Sequence, residues 1–252
     1  MKKLLSLILA LVFVCTSFAL VSCSPDDPSS LERLAGKTPE ELYSMHLESF
    51  ENITSVSLTG IQKISMTSPG VSINMMQTVE AKKNNENIYF KMENNLASET
   101  NMEMWYIDGT VYMSVAGEKM KLEVGKEEFI ENYLDSDPTE DALVDIPKSW
   151  FDNMEFVREE DSWVLAFVIG AEDFIEYFDA PDFDGVIKGN VNYKLYFDSD
   201  GNLEKQYTEL DMDVEGYTVH IESTATITVG DATVTPPEDA DSYQSTVDPD
   251  QF

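Results

Sequence analysis

The stretch Met102-Glu-Met-Trp-Tyr-Ile-Asp-Gly-Thr-Val-Tyr-Met-Ser-Val115 reads as two short strands folded about Asp108-Gly109. An Asp-Gly pair between alternating apolar residues is the signature of a type I′ turn, which needs positive φ at both central residues and whose twist matches that of the strands it joins. Folding about it sets Tyr106 against Val111, Met104 against Met113 and Met102 against Val115, all apolar and all on one face. The other face pairs Trp105 with Tyr112 and Glu103 with Ser114, as a half-exposed surface would. A sheet with one buried face follows.

The same grammar extends in both directions. Upstream, Val56, Leu58, Ile64 and Met66 share one parity, and after Ser68-Pro69-Gly70 so do Val71, Ile73, Met75 and Val79, which makes one hairpin. A third strand runs through Ile88, Phe90 and Met92 after the polar turn 82–87. Downstream, Lys126-Glu-Glu opens a short helix bearing Phe129, Ile130, Tyr133 and Leu134, and Asp137-Pro138 restarts a helical turn toward Val144. Strands at 154–159 and 163–169 lead to a helix with Phe174, Ile175 and Phe178, and three long strands follow from Val186 to Val229. The domain itself begins at a helix with Thr38 as cap, Pro39 at the first helical position and Glu41 completing a capping box. Leu42, Met45 and Phe50 fall on one face of it, with His46 beside them as an ordinary helix histidine that no motif joins to His220. This order of elements predicts a β-rich α+β fold, a curved antiparallel sheet with a few helices over its apolar face.

Outside that domain, the N-terminal 22 residues carry a basic start (Lys2, Lys3), an uncharged apolar run from Leu4 to Leu20, and then Leu20-Val21-Ser22-Cys23. That is the layout of a bacterial lipoprotein signal ending in a lipobox, with Cys23 as the residue that is lipidated and becomes the mature N-terminus. An apolar run of about 17 residues is short for a membrane span. Acyl chains contribute about 0.8 kcal/mol per buried methylene, so such an anchor holds the chain at the extracytoplasmic face of the cell membrane. Residues 23–37 read as the lipidated cysteine and a polar, proline-broken tether, 38–235 as the folded domain, and 236–252, acidic with few large apolar side chains, as a disordered tail.

The formal net charge is −32, and removing residues 1–22 deletes two lysines and no acids, leaving −34. Nucleic acid is excluded as a partner, since its binding relies on clustered Lys and Arg. The charge serves solubility beside a membrane, with a cationic partner or loosely held divalent cations as the other readings. Cys15 leaves with the signal and Cys23 is taken by lipid, so no disulfide is expected and the core alone holds the fold.

One stretch imitates a metal site. Asp211, Asp213, Glu215, Gly216 and Glu222 match positions 1, 3, 5, 6 and 12 of an EF-hand loop. Its flanks, however, alternate: Leu210, Met212 and Val214 on one side, Tyr217, Val219 and Ile221 on the other. A hairpin about Glu215-Gly216 pairs 214 with 217, 212 with 219 and 210 with 221 and sets Asp211 opposite His220, leaving only the like-charged Glu209 and Glu222 unexplained. No metal is therefore expected there. Met66, Met75, Met76, Met92, Met102, Met104, Met113 and Met120 crowd the first half of the domain. Copper(I) takes such soft ligands, but on short loops with Cys or His. These residues sit at strand parity, which suits core packing or an adaptable apolar cavity. There is no nucleophile elbow, phosphate loop or HExxH helix, so neither an enzyme nor a cofactor is expected.

With the lipobox, the Thr38-Pro-Glu-Glu-Leu-Tyr43 helix start, the Trp105–Met113 hairpin and the closing Thr233-Val-Thr-Pro-Pro-Glu-Asp-Ala240, the chain resembles a group of uncharacterised lipoproteins of Gram-positive bacteria. That group is similar in layout to the LolA-like and LppX/LprG-like lipid carriers. The resemblance implies an incomplete antiparallel barrel, helices plugging its concave side, an apolar cavity between them, and a lipid or lipid-like ligand held at the outer face of the membrane. Parity nominates Met102, Met104, Tyr106, Val111 and Met113 for the cavity lining, with Phe174 and Phe178 from a covering helix. The competing class is a cell-surface interaction or sensor module with a packed core and no ligand. A transporter's solute-binding lipoprotein would instead alternate strands with helices.

Overall fold

A computed structural model describes residues 34, 36–50, 54–84, 87–96, 98–129, 154–159, 162–177, 186–198, 201–214, 216–230 and 232–245. Helix α1 (Pro39–Phe50) precedes strands β1 (Ser55–Ser68), β2 (Val71–Asn84), β3 (Asn87–Asn94), β4 (Met102–Ile107), β5 (Thr110–Val115) and β6 (Glu118–Glu123). Helix α2 (Lys126–Phe129), β7 (Glu155–Glu159), β8 (Ser162–Gly170), helix α3 (Ala171–Tyr177), β9 (Ile187–Phe197), β10 (Leu203–Val214), β11 (Tyr217–Val229) and the two-residue β12 (Gln244–Ser245) complete the order.

All the described strands form one curved, open sheet in the order β12-β6-β5-β4-β3-β2-β1-β11-β10-β9-β8-β7. The sheet is two meanders, β1 to β6 and β7 to β11, joined where the first strand meets the last long one. That seam runs from Val56↔Val229 to Thr67↔Thr218 without a break. The Asp108-Gly109 hairpin has the expected register throughout, Tyr106↔Val111, Met104↔Met113 and Met102↔Val115. Its two turn residues both have positive φ, 49° and 83°, as a type I′ turn requires.

One contiguous apolar cluster covers the inner face. It takes Val56, Leu58 and Ile64 from β1, Phe90 and Met92 from β3, Leu165 and Phe167 from β8, and Val219, Ile221 and Ile227 from β11. Helices close over it with Leu42 and Tyr43 of α1, Phe129 of α2 and Phe174 of α3, of which Leu42, Phe129 and Phe174 are wholly buried. The capping box at α1 forms in both directions: the Thr38 N–H donates to Glu41 Oε2 at 2.9 Å and the Glu41 N–H to Thr38 Oγ1 at 3.2 Å. Donation from the Thr38 backbone holds the Glu41 carboxyl below the usual carboxylate value.

Two boundary expectations are corrected. The tether does not run to residue 37, because Leu34 is fully buried in the main cluster. Residues 236–245 are not a disordered tail: Tyr243 is 4 % exposed and Gln244–Ser245 pair in parallel with Met120–Lys121. An acidic, proline-bearing segment docks here because it brings one large aromatic to an aromatic surface. Strand β6, unanticipated in the sequence, supplies the edge on which it pairs. The signal segment with Leu20, Val21, Ser22 and Cys23, the region 130–153 and Phe178 lie outside the described residues, as do the side chains of Met45, His46 and Phe50.

Candidate functional site: the inner face and the outer strap

The Met102–Val115 hairpin presents its apolar parity inward. Met104, Tyr106, Val111 and Met113 are buried in the main cluster, and Met102 packs against it half-buried. The helix standing on this hairpin is α2, whose Phe129 ring stacks on Tyr106 with centroids 4.7 Å apart. Phe174 joins the same cluster from α3, which packs on β8 and β9 in the other meander. The nominated residues thus share one apolar surface but stand at separate parts of it. The inward methionines include Met75, Met92, Met104 and Met113, whereas Met76 points outward and is 44 % exposed.

At the centre of this face the side chains change character. Gln62 of β1 is opposite Gln77 of β2 and Ser223 of β11, and Ser223 is opposite Thr208 of β10. All four are buried. The adjacent inward row is Gly60, Ala225 and Gln206. Among the described residues, neither Nε2 nor Oε1 of Gln62 meets a hydrogen-bond partner, although the residue is only 3 % exposed, and Gln206 Oε1 is equally unmet. Leaving a buried amide unmatched costs about 1–3 kcal/mol. Sequence reading passed over this patch, yet it held a signal: Gly60 and Gln62 fall at inward parity in a strand otherwise lined by Val56, Leu58, Ile64 and Met66.

The outer face is also covered at one end. Residues 232–245 cross β3 to β6 as a strap, and Val234 and Tyr243 bury Trp105 and Ile107, with Tyr89 and Tyr112 alongside. Tyr243 meets Trp105 edge-on at 6.3 Å and Tyr112 at 5.5 Å. Its start is pinned by Ser55 Oγ, which accepts from the Ala232 N–H at 2.9 Å, and by Asn84 Nδ2, which donates to the Ala232 carbonyl at 2.7 Å. Lys119 pairs with Asp239 and lies over the Tyr243 ring, 5.6 Å from its centroid. The expectation of a single buried face therefore fails over β4 and β5. A groove of about 410 Å³ remains between strap and sheet, lined in part by Lys82, Glu103 and Lys119.

The strap's titration is set by these contacts. Hydrogen bonding to Lys119 holds Asp239 below the usual carboxylate value, and burial pushes the Tyr243 phenol up to about 12. A raised phenol stabilises the folded state fully below the unfolded value near 10, and that contribution is lost as pH climbs through about 12. Between pH 10 and 12 the strap is expected to loosen before the sheet melts. Tyrosinate absorbance at 295 nm and acrylamide quenching of tryptophan should rise together over that range while the far-UV spectrum of the sheet holds. Quenching that stays flat to pH 12 would contradict this.

The imitation calcium loop is a hairpin with the expected register, Val214↔Tyr217, Met212↔Val219, Leu210↔Ile221 and Asp211↔His220. His220 Nδ1 lies 2.9 Å from Asp211 Oδ1. The like-charged Glu209 and Glu222 are relieved from the seam, where Lys63 of β1 lies opposite Glu222 and pairs with it at 3.3 Å. Among the described residues no group of three or more His, Cys, Asp or Glu is arranged to hold a metal ion. No described helix is long and apolar enough to cross a membrane.

No protein-family profile matches the chain, and no curated protein does. Among solved structures it is similar to the lipoprotein LppX of Mycobacterium tuberculosis, at 10% identity and a TM-score of 0.35, over 83% of this chain and 99% of that one. LprF of Mycobacterium bovis is similar at 12% identity and 0.35, over 85% and 99%. A putative outer membrane lipoprotein-sorting protein domain from Vibrio parahaemolyticus is similar at 10% identity and 0.24, over 79% and 94%.

Proposed function

We propose that this protein is an extracytoplasmic lipoprotein, anchored to the cell membrane through Cys23, that binds or carries a lipid or other hydrophobic molecule against the inner face of its open sheet. The observation that carries the reading is the breadth of that face. Every strand but β12 contributes apolar side chains to it, and at about 4.8 Å between strands the sheet is some 50 Å across. Thioethers at Met75, Met92, Met104 and Met113 give the face side chains that conform to varied apolar shapes. Met102, Met104, Tyr106, Val111, Met113, Phe174 and Phe178 are the proposed lining.

The test is to express residues 24–252, purify without detergent, extract with organic solvent and identify co-purifying lipids by mass spectrometry against an unrelated acidic protein. A lipid near one per chain is expected. A chain that yields none and binds no fluorescent lipid analogue has a packed core, and the acidic surface then becomes the place to seek a protein partner.

A further inference from the structure

The patch at the centre of the inner face says what kind of hydrophobic molecule would fit. Six inward positions on three neighbouring strands form two rows in register: Gln62, Ser223 and Thr208, and beside them Gly60, Ala225 and Gln206. Around them the face is Leu58, Ile64, Ile221, Leu210 and Ile227, with Gln77 of β2 opposite Gln62. Two of the three residues in the second row, Gly60 and Ala225, are smaller than their neighbours. Gly60 does not have positive φ, and a Cβ added there would meet Val79 Cβ at 3.7 Å, the Thr224 carbonyl oxygen at 3.8 Å and Leu58 Cδ2 at 3.9 Å, all ordinary contacts. Neither backbone nor neighbours require glycine, and a strand-interior glycine costs stability; such positions mark a close approach by something else.

The polar groups beside Gly60 and Ala225 are unmet. Gln62 offers two donors and an acceptor at 3 % exposure with no partner for either atom among the described residues, and Gln206, at 1 % exposure, has an unmet oxygen while its amide nitrogen reaches Thr208 Oγ1 at 3.4 Å. Every buried polar side chain in the patch is uncharged. A charged group brought there would have no counterion among the described residues and would lose its hydration, whereas a neutral one exchanges water for amides at little cost.

We propose that the bound molecule is a neutral-polar lipid, carrying an ester, amide or hydroxyl group between its apolar chains, and that this group docks over Gly60 and Ala225 between the side-chain amides of Gln62 and Gln206. The inference rests on the ligand-binding reading above and adds the chemistry of the ligand. Gln62 supplies donor and acceptor together, which suits a glyceride ester beside a free hydroxyl; any charged headgroup stays outside the sheet.

The full-length chain is placed in vesicles of di-O-phytanyl phosphatidylcholine, whose ether-linked tails offer no ester carbonyl. It is photolabelled with either a diazirine-bearing diacylglycerol or a diazirine-bearing alkane of equal chain length, and labelled peptides are mapped. The expected result is labelling of β1 and β11 peptides about tenfold in favour of the diacylglycerol, a preference that Gln62→Met, similar in shape but without the amide, reduces to parity. Without ligand, Gln62→Met should unfold in urea at the same midpoint as the native chain or a higher one, because an unmet amide has been removed. Equal labelling by both probes in the native chain, or a preference that survives Gln62→Met, overturns the docking role and leaves the ligand-binding reading standing. Labelling of inner-face peptides by neither probe overturns the ligand-binding reading itself. A lower midpoint for Gln62→Met shows the amide already satisfied within the protein, by ordered water or side chains, and overturns the proposal.

Discussion

Ile221→Asp is expected to abolish cooperative folding. Ile221 is wholly buried in β11, with Ile64 opposite it across the seam and Leu210 opposite it in the hairpin, each 1 % exposed. Among the described residues a carboxylate there has no buried cation beside it, so it either protonates or drags water into the joint between the two meanders. Losing the apolar contacts and burying an unmatched carboxyl together cost upward of about 5 kcal/mol, comparable to the whole stability of an ordinary domain. The conservative partner, Ile221→Val, should cost only about 0.5–1.5 kcal/mol. Urea unfolding followed by circular dichroism separates these results. An Ile221→Asp chain that melts cooperatively near the native midpoint would show that the two meanders do not depend on this seam.

Tyr243→Ala should free the strap while leaving the sheet folded. The Tyr243 ring fills the angle between Trp105 and Tyr112 and carries Lys119 over its face, and truncating a buried aromatic to alanine costs about 3–5 kcal/mol. What remains to hold the strap is a two-residue parallel pairing, the hydrogen bonds at Ala232, Val234 and an exposed ion pair, the last worth under about 1 kcal/mol. Trp105, 9 % exposed in the native chain, should become accessible to acrylamide and its emission should shift to the red. With β12 gone, β6 becomes a bare sheet edge, and self-association at high concentration is the expected secondary effect. Gln244→Ala, at an exposed position, is the control that should leave quenching unchanged. Equal protection of Trp105 in both variants would mean that other contacts hold the strap.

The features legible from the residues were the local ones. Asp108-Gly109 and Glu215-Gly216 each specify a hairpin, and with the turn placed, strand alternation admits one register that keeps the alternating apolar residues on the same side. The imitation calcium loop could be rejected for the same reason, since its flanks have a period of two. What composition misjudged was the strap. Few apolar residues within a window mean disorder only when no distant surface awaits them, and Tyr89, Trp105 and Tyr112 form such a surface on the outward parity of β3 to β5. The charge conflict between Glu209 and Glu222 likewise looked unresolved within its hairpin, because the lysine that relieves it stands on β1.

The order of residues specifies most of the strands, the tight turns and the parity of each hairpin, because these depend on φ preferences and on contacts between residues a few positions apart. It also placed Gln62 at an inward position. That Gln62 stands opposite Ser223, 161 positions away, and Gly60 opposite Ala225 follows only from the assembled fold. The register of the β1–β11 seam is carried by no local turn. It is chosen by the burial of both meanders at once, and that choice gathers scattered small and amide side chains into one patch at the centre of an apolar sheet.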